Sequence, residues 1–308
     1  MKHLTIKKIS AVTGLSVILL ILLLWKPTVI VYGLQRAGLY AAVALPMALV
    51  LGIVHIVNLA HGELMMVAAY LTYFISVTLG LDPLMAMIPV VGIMFVLGMI
   101  LYQLTIRHTL KAPELNQLLL TFGIAMVLSQ VVNLIATSQP RKLSVSYVTA
   151  SMTVGETSFG IYDFVYTALA VLILIGFQVF LKRTKLGRAA MAVGQNPRGA
   201  RLVGINVGRT YLMIFALASA VLGIMGAFFL TRQSIFPLVG GPYTMKSFCL
   251  VAMAGIGSLP MVLTGSLFLG ITESLIISFK GYGGWSHLVF FALILVVILV
   301  RSYKGEKL

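Results

Sequence analysis

Acidic residues are scarce in this chain. Seven Asp and Glu stand against 22 Lys and Arg in 308 residues, and charged residues of both signs make up only 9%. A soluble domain carries roughly a quarter charged residues, so an ordinary hydrated surface is excluded. Nucleotide chemistry is excluded as well: there is no GxxxxGKS/T, no Gly-rich strand-to-helix turn and no acidic pair placed for magnesium. Cysteine is nearly absent. Cys249, the single one, lies in an apolar run, which rules out an internal disulfide or a cysteine metal cluster. HExxH and HxxxH spacings are missing too, so no metal site is expected. What the chain has in abundance is apolar sequence, 60% of its residues. No single globular core can house that much. The expectation is an all-α polytopic membrane protein with about 8–10 transmembrane helices, some of them broken or re-entrant, forming one transmembrane domain over residues 1–308.

The net charge of +15 does not point to nucleic acid, because the positive residues are scattered between apolar runs and form no basic domain. Topology and anionic membrane lipid account for them. About 20 apolar residues cross the hydrocarbon core as a helix, which places spans at 10–25, 37–57, 60–80, 84–106, 116–136, 161–181, 210–230, 247–258, 261–279 and 286–301. The first follows Lys2, Lys7 and Lys8 like a signal peptide, but no A-x-A site follows it, and it is read as an uncleaved span. With the N-terminus cytoplasmic, ten crossings return the C-terminus to the cytoplasm. Fifteen Lys and Arg then lie inside and seven outside, Arg36 and Lys246 among the seven. The span 247–258 is short and reads equally as a re-entrant half-helix. Residues 137–160, rich in Ser, Thr, Gly and Pro, form an external loop where a soluble partner can touch the chain. A repeat relation between the two halves, common in transporters, is not demonstrable from the letters.

One connection stands apart. Residues 182–209 hold seven Lys or Arg and no acid, Arg188, Arg198 and Arg201 among them. The positive-inside rule assigns this loop to the cytoplasm. Its punctuation asks for more than topology: Asn196 suits an N-cap, Pro197 the first helical position and Gly204 a left-handed C-cap. Residues 197–203 are therefore expected to form a short docking helix.

Polar residues also fall where no aqueous loop fits. In the segment 57–63, VNLAHGE, Asn58, His61 and Glu63 must lie at or within the bilayer, beside the helix-breaking Gly62. Two readings stand: a broken helix lining a translocation path, or a tight cytoplasmic hairpin with Asn58 as cap and Glu63 in the first turn. In 254–260, AGIGSLP, the residues Gly255, Gly257, Ser258 and Pro260 interrupt a long uncharged stretch, and two half-helices with a sharp break are expected, at which Gly255, Gly257 and Ser258 either line the substrate path or let helices pack closely. Gly265 and Gly270 suggest close helix contact. Glu273 is expected to pair with Lys246 or Lys280 at the outer surface.

These stretches, VNLAHGELMMVAAY (57–70), TKLGRAAMAVGQNPRGARLVGINVGR (184–209) and MAGIGSLPMVLTGSLFLGITESL (253–275), together resemble the permease subunits of branched-chain amino-acid ABC importers, the LivH type. The similarity runs from about residue 38 to 300. Where the family usually reads GGIGS-x-x-G, Ala254 and Met261 stand at the first and last glycine. The resemblance implies a type II-like importer permease in the bacterial inner membrane. It implies a second related permease, two cytoplasmic ATPase subunits that bind ATP and magnesium, and a periplasmic solute-binding protein; the chain itself carries no cofactor and no enzymatic activity. By the same resemblance, Asn196, Pro197, Arg198, Arg201 and Gly204 belong to the ATPase-coupling element, with Arg188 in the same basic stretch, and Asn58, His61, Gly62 and Glu63 to the segment lining the path. Relatives move urea, other amides and aromatic acids, so branched-chain amino acids are the leading solute and not the only one. An ion-coupled secondary transporter is the alternative from another class.

Overall fold

In a computed structural model the described residues are 27–110, 112–154, 157–255, 257–279 and 283–285, with 288, 291, 292 and 295. The expected spans 10–25 and most of 286–301, and the terminal lysines with them, lie outside these residues. Ten helices and one β-hairpin follow in order: α1 Pro27–Val54, α2 His61–Leu79, α3 Pro83–Leu101, α4 Glu114–Ala136, β1 Ser151–Val154, β2 Thr157–Gly160, α5 Asp163–Arg183, α6 Lys185–Gln195, α7 Pro197–Leu202, α8 Val207–Arg232, α9 Gly240–Ala254 and α10 Leu259–Ile277. Among the described residues seven helices are long and apolar enough to cross a membrane, α3 being extended to Thr109 through a π-turn at Tyr102–Ile106. This is a multi-pass helical membrane protein.

The core is α1. It runs almost wholly buried between α10, α5, α8 and α9, and from Ala41 to Leu45 each side chain is inaccessible. α8 is the second buried rod, packed on α3 and α2. Small residues allow the approach: a Cβ at Gly270 would stand 2.5 Å from the Gly33 carbonyl oxygen, and one at Gly226 2.6 Å from Ala68 Cβ. The close contact expected at Gly270 is present, whereas Gly265 meets only the flexible Met253 methyl and Leu250. α3, α4 and α5 form the periphery, with Ile88, Leu119, Leu134 and Leu172 exposed, as lipid-facing side chains are.

Two expected boundaries need correction. The span read as 37–57 begins ten residues earlier, at Pro27, so Arg36 lies inside α1 and not in an outer loop. The expected span had stopped at the charge. The helix does not, because Glu273 of α10 neutralises Arg36. Likewise α9 begins at Gly240 and contains Lys246, which is buried. At about 1.5 Å per residue its 15 residues are too short for a full crossing, and the half-helix reading of this span holds.

At one end of the bundle sit the basic helices α6 and α7; at the other, residues 137–162 and the hairpin. Register pairs Ser151 with Gly160 and Val154 with Thr157. A bridge between Arg141 and Ile235 ties this loop to the return that follows α8, and the Tyr147 hydroxyl donates to Asp82, the N-cap of α3, at 3.1 Å.

Candidate functional site

The segment after α1 does not form a hairpin at the helix end. His55 adopts φ +59° and the chain returns along the bundle to begin α2 at His61, whose Nε2 lies 2.7 Å from the Val43 carbonyl oxygen. A carbonyl only accepts, so Nε2 carries the proton. Val43 is sixteen residues from the start of α1 and eleven from its end, so α2 starts near mid-depth.

α9 starts at the same place from the other side. The Gly62 amide donates to Thr244 Oγ1 at 2.7 Å. A Cβ at Gly62 would lie 2.0 Å from the Gly240 carbonyl oxygen, and one at Gly240 would lie 2.5 Å from the Gly62 carbonyl carbon. From this junction α2 runs toward the hairpin end, while α9 runs toward the basic end, where Gly257 meets Gly52 of α1. Two helix N-termini, each carrying positive partial charge, thus face one another inside the bundle, with the Gly62 amide taken by Thr244. The Glu63 carboxylate sits between them, 94% buried, its Oε2 in contact range of Gly240 and without a hydrogen-bond partner among the described residues. Asn58 Oδ1 accepts from the Ala60 amide at 3.1 Å and holds the return.

Of the two readings for 57–63, the broken element inside the membrane is the one the geometry matches; Glu63 stays in the first turn of α2, but Asn58 is not its cap, because the N-cap is Ala60 and no side chain caps it. Asn58, His61, Gly62 and Glu63 form one cluster. Gly255, Gly257 and Ser258 do not join it: they form the α9–α10 break at the level of Gly52, nine residues or about 13 Å along α1 from Val43. Gly255 and Gly257 take φ +88° and +79°, left-handed values that disfavour any side chain, so the sharp break is as expected.

The basic end carries three caps in succession. Thr184 Oγ1 accepts from Gly187, Asn196 Oδ1 from Gly199 and Asn206 Oδ1 from Arg209, at 2.9–3.0 Å. The helix expected at 197–203 is α7, with Pro197 at its first position and Gly204 at φ +84°. Residues 182–195, expected as loop, also fold: they continue α5 to Arg183 and form α6, which begins where the backbone turns so tightly that a Cβ at Gly187 would reach the Phe180 carbonyl. Arg188, Arg198 and Arg201 are exposed. Asn196, Pro197, Arg198 and Arg201 border a cleft of about 800 Å³ together with Arg107 and His108 of α3's extension. Leu202 and Val203, 89% and 76% exposed, project as an apolar knob. The letters gave no signal for that knob, because a Leu–Val pair reads as core.

Glu273 pairs with Lys246 as expected, although both are buried rather than at the outer surface, and sequence reasoning missed its other partners. Besides Lys246 Nζ at 3.4 Å, it binds Arg36 Nη1 at 3.2 Å and the Tyr40 hydroxyl at 2.6 Å. Lys280 lies outside the described residues. Tyr243 lies edge-on against Phe229 near this group, and His55 is exposed.

Long apolar helices, with α2 and α9 each starting inside the bundle after an irregular return, make this a multi-pass membrane protein. Residues 29–299 match the family described as branched-chain amino acid transport system, permease component, and the chain belongs to that family. It is 25% identical over 281 residues to the high-affinity branched-chain amino acid transport system permease protein LivH of Salmonella typhimurium, covering 87% of this chain and 91% of the relative. LivH of Escherichia coli is 26% identical with the same coverage. BraD of Pseudomonas aeruginosa, described in the same terms, is 26% identical over 287 residues, 88% and 92% of the two chains. No solved structure matches.

Proposed function

We propose that this chain is one transmembrane subunit of an ATP-driven importer that carries a branched-chain amino acid, or a closely related small polar solute, across a bacterial inner membrane. ATP and magnesium would be bound by two cytoplasmic ATPase subunits. A second, related permease would complete the membrane part, and a periplasmic solute-binding protein would deliver the solute to the hairpin end at residues 137–160. Both termini would be cytoplasmic. The observation that carries this reading is the basic end: three capped turns hold α6 and α7 as a stiff cationic projection with an apolar tip, the form a docking element needs. A helix pair that served topology alone would have no use for Leu202 and Val203 in water, where exposed apolar pairs of this kind mark interaction sites. The relatives' printed role in branched-chain amino-acid transport supports the solute class.

The translocation path would pass the mid-depth junction, where Asn58, His61, Gly62 and Glu63 meet α9, with Gly255, Gly257 and Ser258 hinging the wall below it. Coupling would run through α6, whose Gly194 rests on the Gly52 carbonyl beside Gly257. The test is to solubilise the tagged protein gently from its native membrane and identify its companions by mass spectrometry. Two ATPases and a related permease are expected with the natural sequence, and loss of the ATPases and of leucine uptake with Arg198→Glu plus Arg201→Glu. A chain that comes out alone at normal yield, or a double variant that keeps both ATPases and uptake, overturns the reading.

A further inference from the structure

At the hairpin end a cavity of about 340 Å³ opens between α1, α5 and the α8–α9 return, bordered by Gln35, Arg36, Tyr40, Asp163, Arg232 and Tyr243. Its charges are layered. The Arg36 and Arg232 side chains are 38% and 40% exposed, whereas their carboxylate partners Glu273 and Asp163 are only 3% and 16% exposed. The guanidinium groups are therefore the more exposed charges of the wall, while Glu273 stands behind it and the Asp163 carboxylate, which also borders the cavity, is held by Arg232. Arg232 grips Asp163 as a fork, with Nε and Nη2 at 2.6 and 3.0 Å. Arg36 touches Glu273 through Nη1 alone at 3.2 Å, and that carboxylate also accepts from Tyr40 and Lys246. Among the described residues, three cations thus share two carboxylates around this cavity.

A partly desolvated wall of two guanidinium groups with a net positive charge selects an anion. The planar fork of Arg36, engaged on one nitrogen only, matches a carboxylate in particular. Leu39 and the tyrosine rings offer an aliphatic chain an apolar surface beside it. We propose that this cavity is the permease's own solute-binding site at the hairpin end, and that it recognises the free carboxylate of an amino acid through Arg36 and Arg232. Urea and simple amides, which offer no anion, are then poor ligands. This inference rests on reading the chain as a transport subunit and narrows its solute class.

The test uses the complete complex in lipid nanodiscs without the solute-binding protein. Direct binding of radiolabelled L-leucine is measured, with isocaproate and L-leucinamide as competitors, and ATP-driven leucine uptake is followed in parallel in proteoliposomes. Isocaproate is expected to compete and leucinamide to compete about tenfold or more weakly, the worth of a hydrogen bond to a charged group. Arg36→Gln should weaken leucine binding by a similar factor, and Arg36→Lys should recover part of it. Glu273→Gln, which removes the carboxylate that occupies Arg36, should tighten binding, a gain that damage to the fold cannot produce. Equal competition by leucine and leucinamide, unchanged binding in Arg36→Gln, or weakened binding in Glu273→Gln would each overturn the site. A complex that prefers carboxylates to amides yet takes up no leucine with ATP would uphold the site and overturn the transport reading.

Discussion

Gly62 and Gly240 are where a single atom matters most. Each faces the other's backbone, and a methyl group at Gly62 would be driven to within 2.0 Å of the Gly240 carbonyl oxygen and 2.6 Å of Thr244 Oγ1. Backbone cannot give way as a side-chain tip can, so Gly62→Ala is expected to destabilise the bundle by about 1–3 kcal/mol or more, as overpacking does, and to lower the midpoint of thermal unfolding in detergent. An unchanged midpoint would mean that the two N-termini do not meet. Glu63 lies beside them, and its Oε2 has no hydrogen-bond partner among the described residues. The letters carried part of this. Asn58, Gly62 and Glu63 were recognisable as polar or flexible groups inside the membrane, because their cost there is a local property. Their depth was not recognisable. It depends on His61 reaching Val43 and on Gly62 meeting Gly240, contacts that join residues far apart in the chain. Arg36 was misread for the same reason: a cation ends an apolar run on paper, but its neutralising acid is 237 residues away.

The helix α7 was legible at the scale of the element, since Asn196, Pro197 and Gly204 act on their immediate neighbours. The Asn196 cap is expected to contribute about 1 kcal/mol. Asn196→Ala should therefore raise hydrogen exchange at the Gly199 amide, which the cap occupies at 2.9 Å, while Asn196→Asp should restore protection. Equal exchange in all three would separate α7's order from its cap. The break between α9 and α10 was equally legible, because Gly255 and Gly257 need left-handed φ wherever the chain goes next. The start of α9 was not. Gly240, Gly241 and Pro242 are residue types that favour turns, yet here they open a helix whose first residue is buried against α2. α6 was missed because its few apolar residues, Leu186, Met191 and Val193 among them, were outweighed on paper by the cations around it.

The whole molecule shows an arrangement that no single stretch displays. In the first half a long helix, α1, is followed by a return and a helix beginning at mid-depth, α2. In the second half α8, a return and α9 repeat the pattern with opposite direction, α2 and α9 diverging from a common origin. This is the relation expected of inverted repeats in transporters, and it leaves the basic helices and the hairpin on opposite sides. The proposed orientation is measurable. In a Cys249→Ser background, Leu202→Cys should react with a membrane-impermeant maleimide only from the cytoplasmic side of inverted vesicles, and Ser151→Cys only in intact spheroplasts. Reaction of both from one side would refute the topology.

The meeting of Gly52, Gly194 and Gly257 has a mechanical meaning. Three elements, α1, α6 and the α9–α10 break, touch there through backbone: a Cβ at Gly52 would lie 2.7 Å from Gly257 Cα, and one at Gly194 3.1 Å from the Gly52 oxygen. Side-chain contacts can absorb a displacement by changing rotamer; bare backbone has no such slack. In the proposed coupling, a push on the basic helices would pass to the α9–α10 break through this joint, and the cavity of about 260 Å³ that the three glycines also line leaves the break room to move.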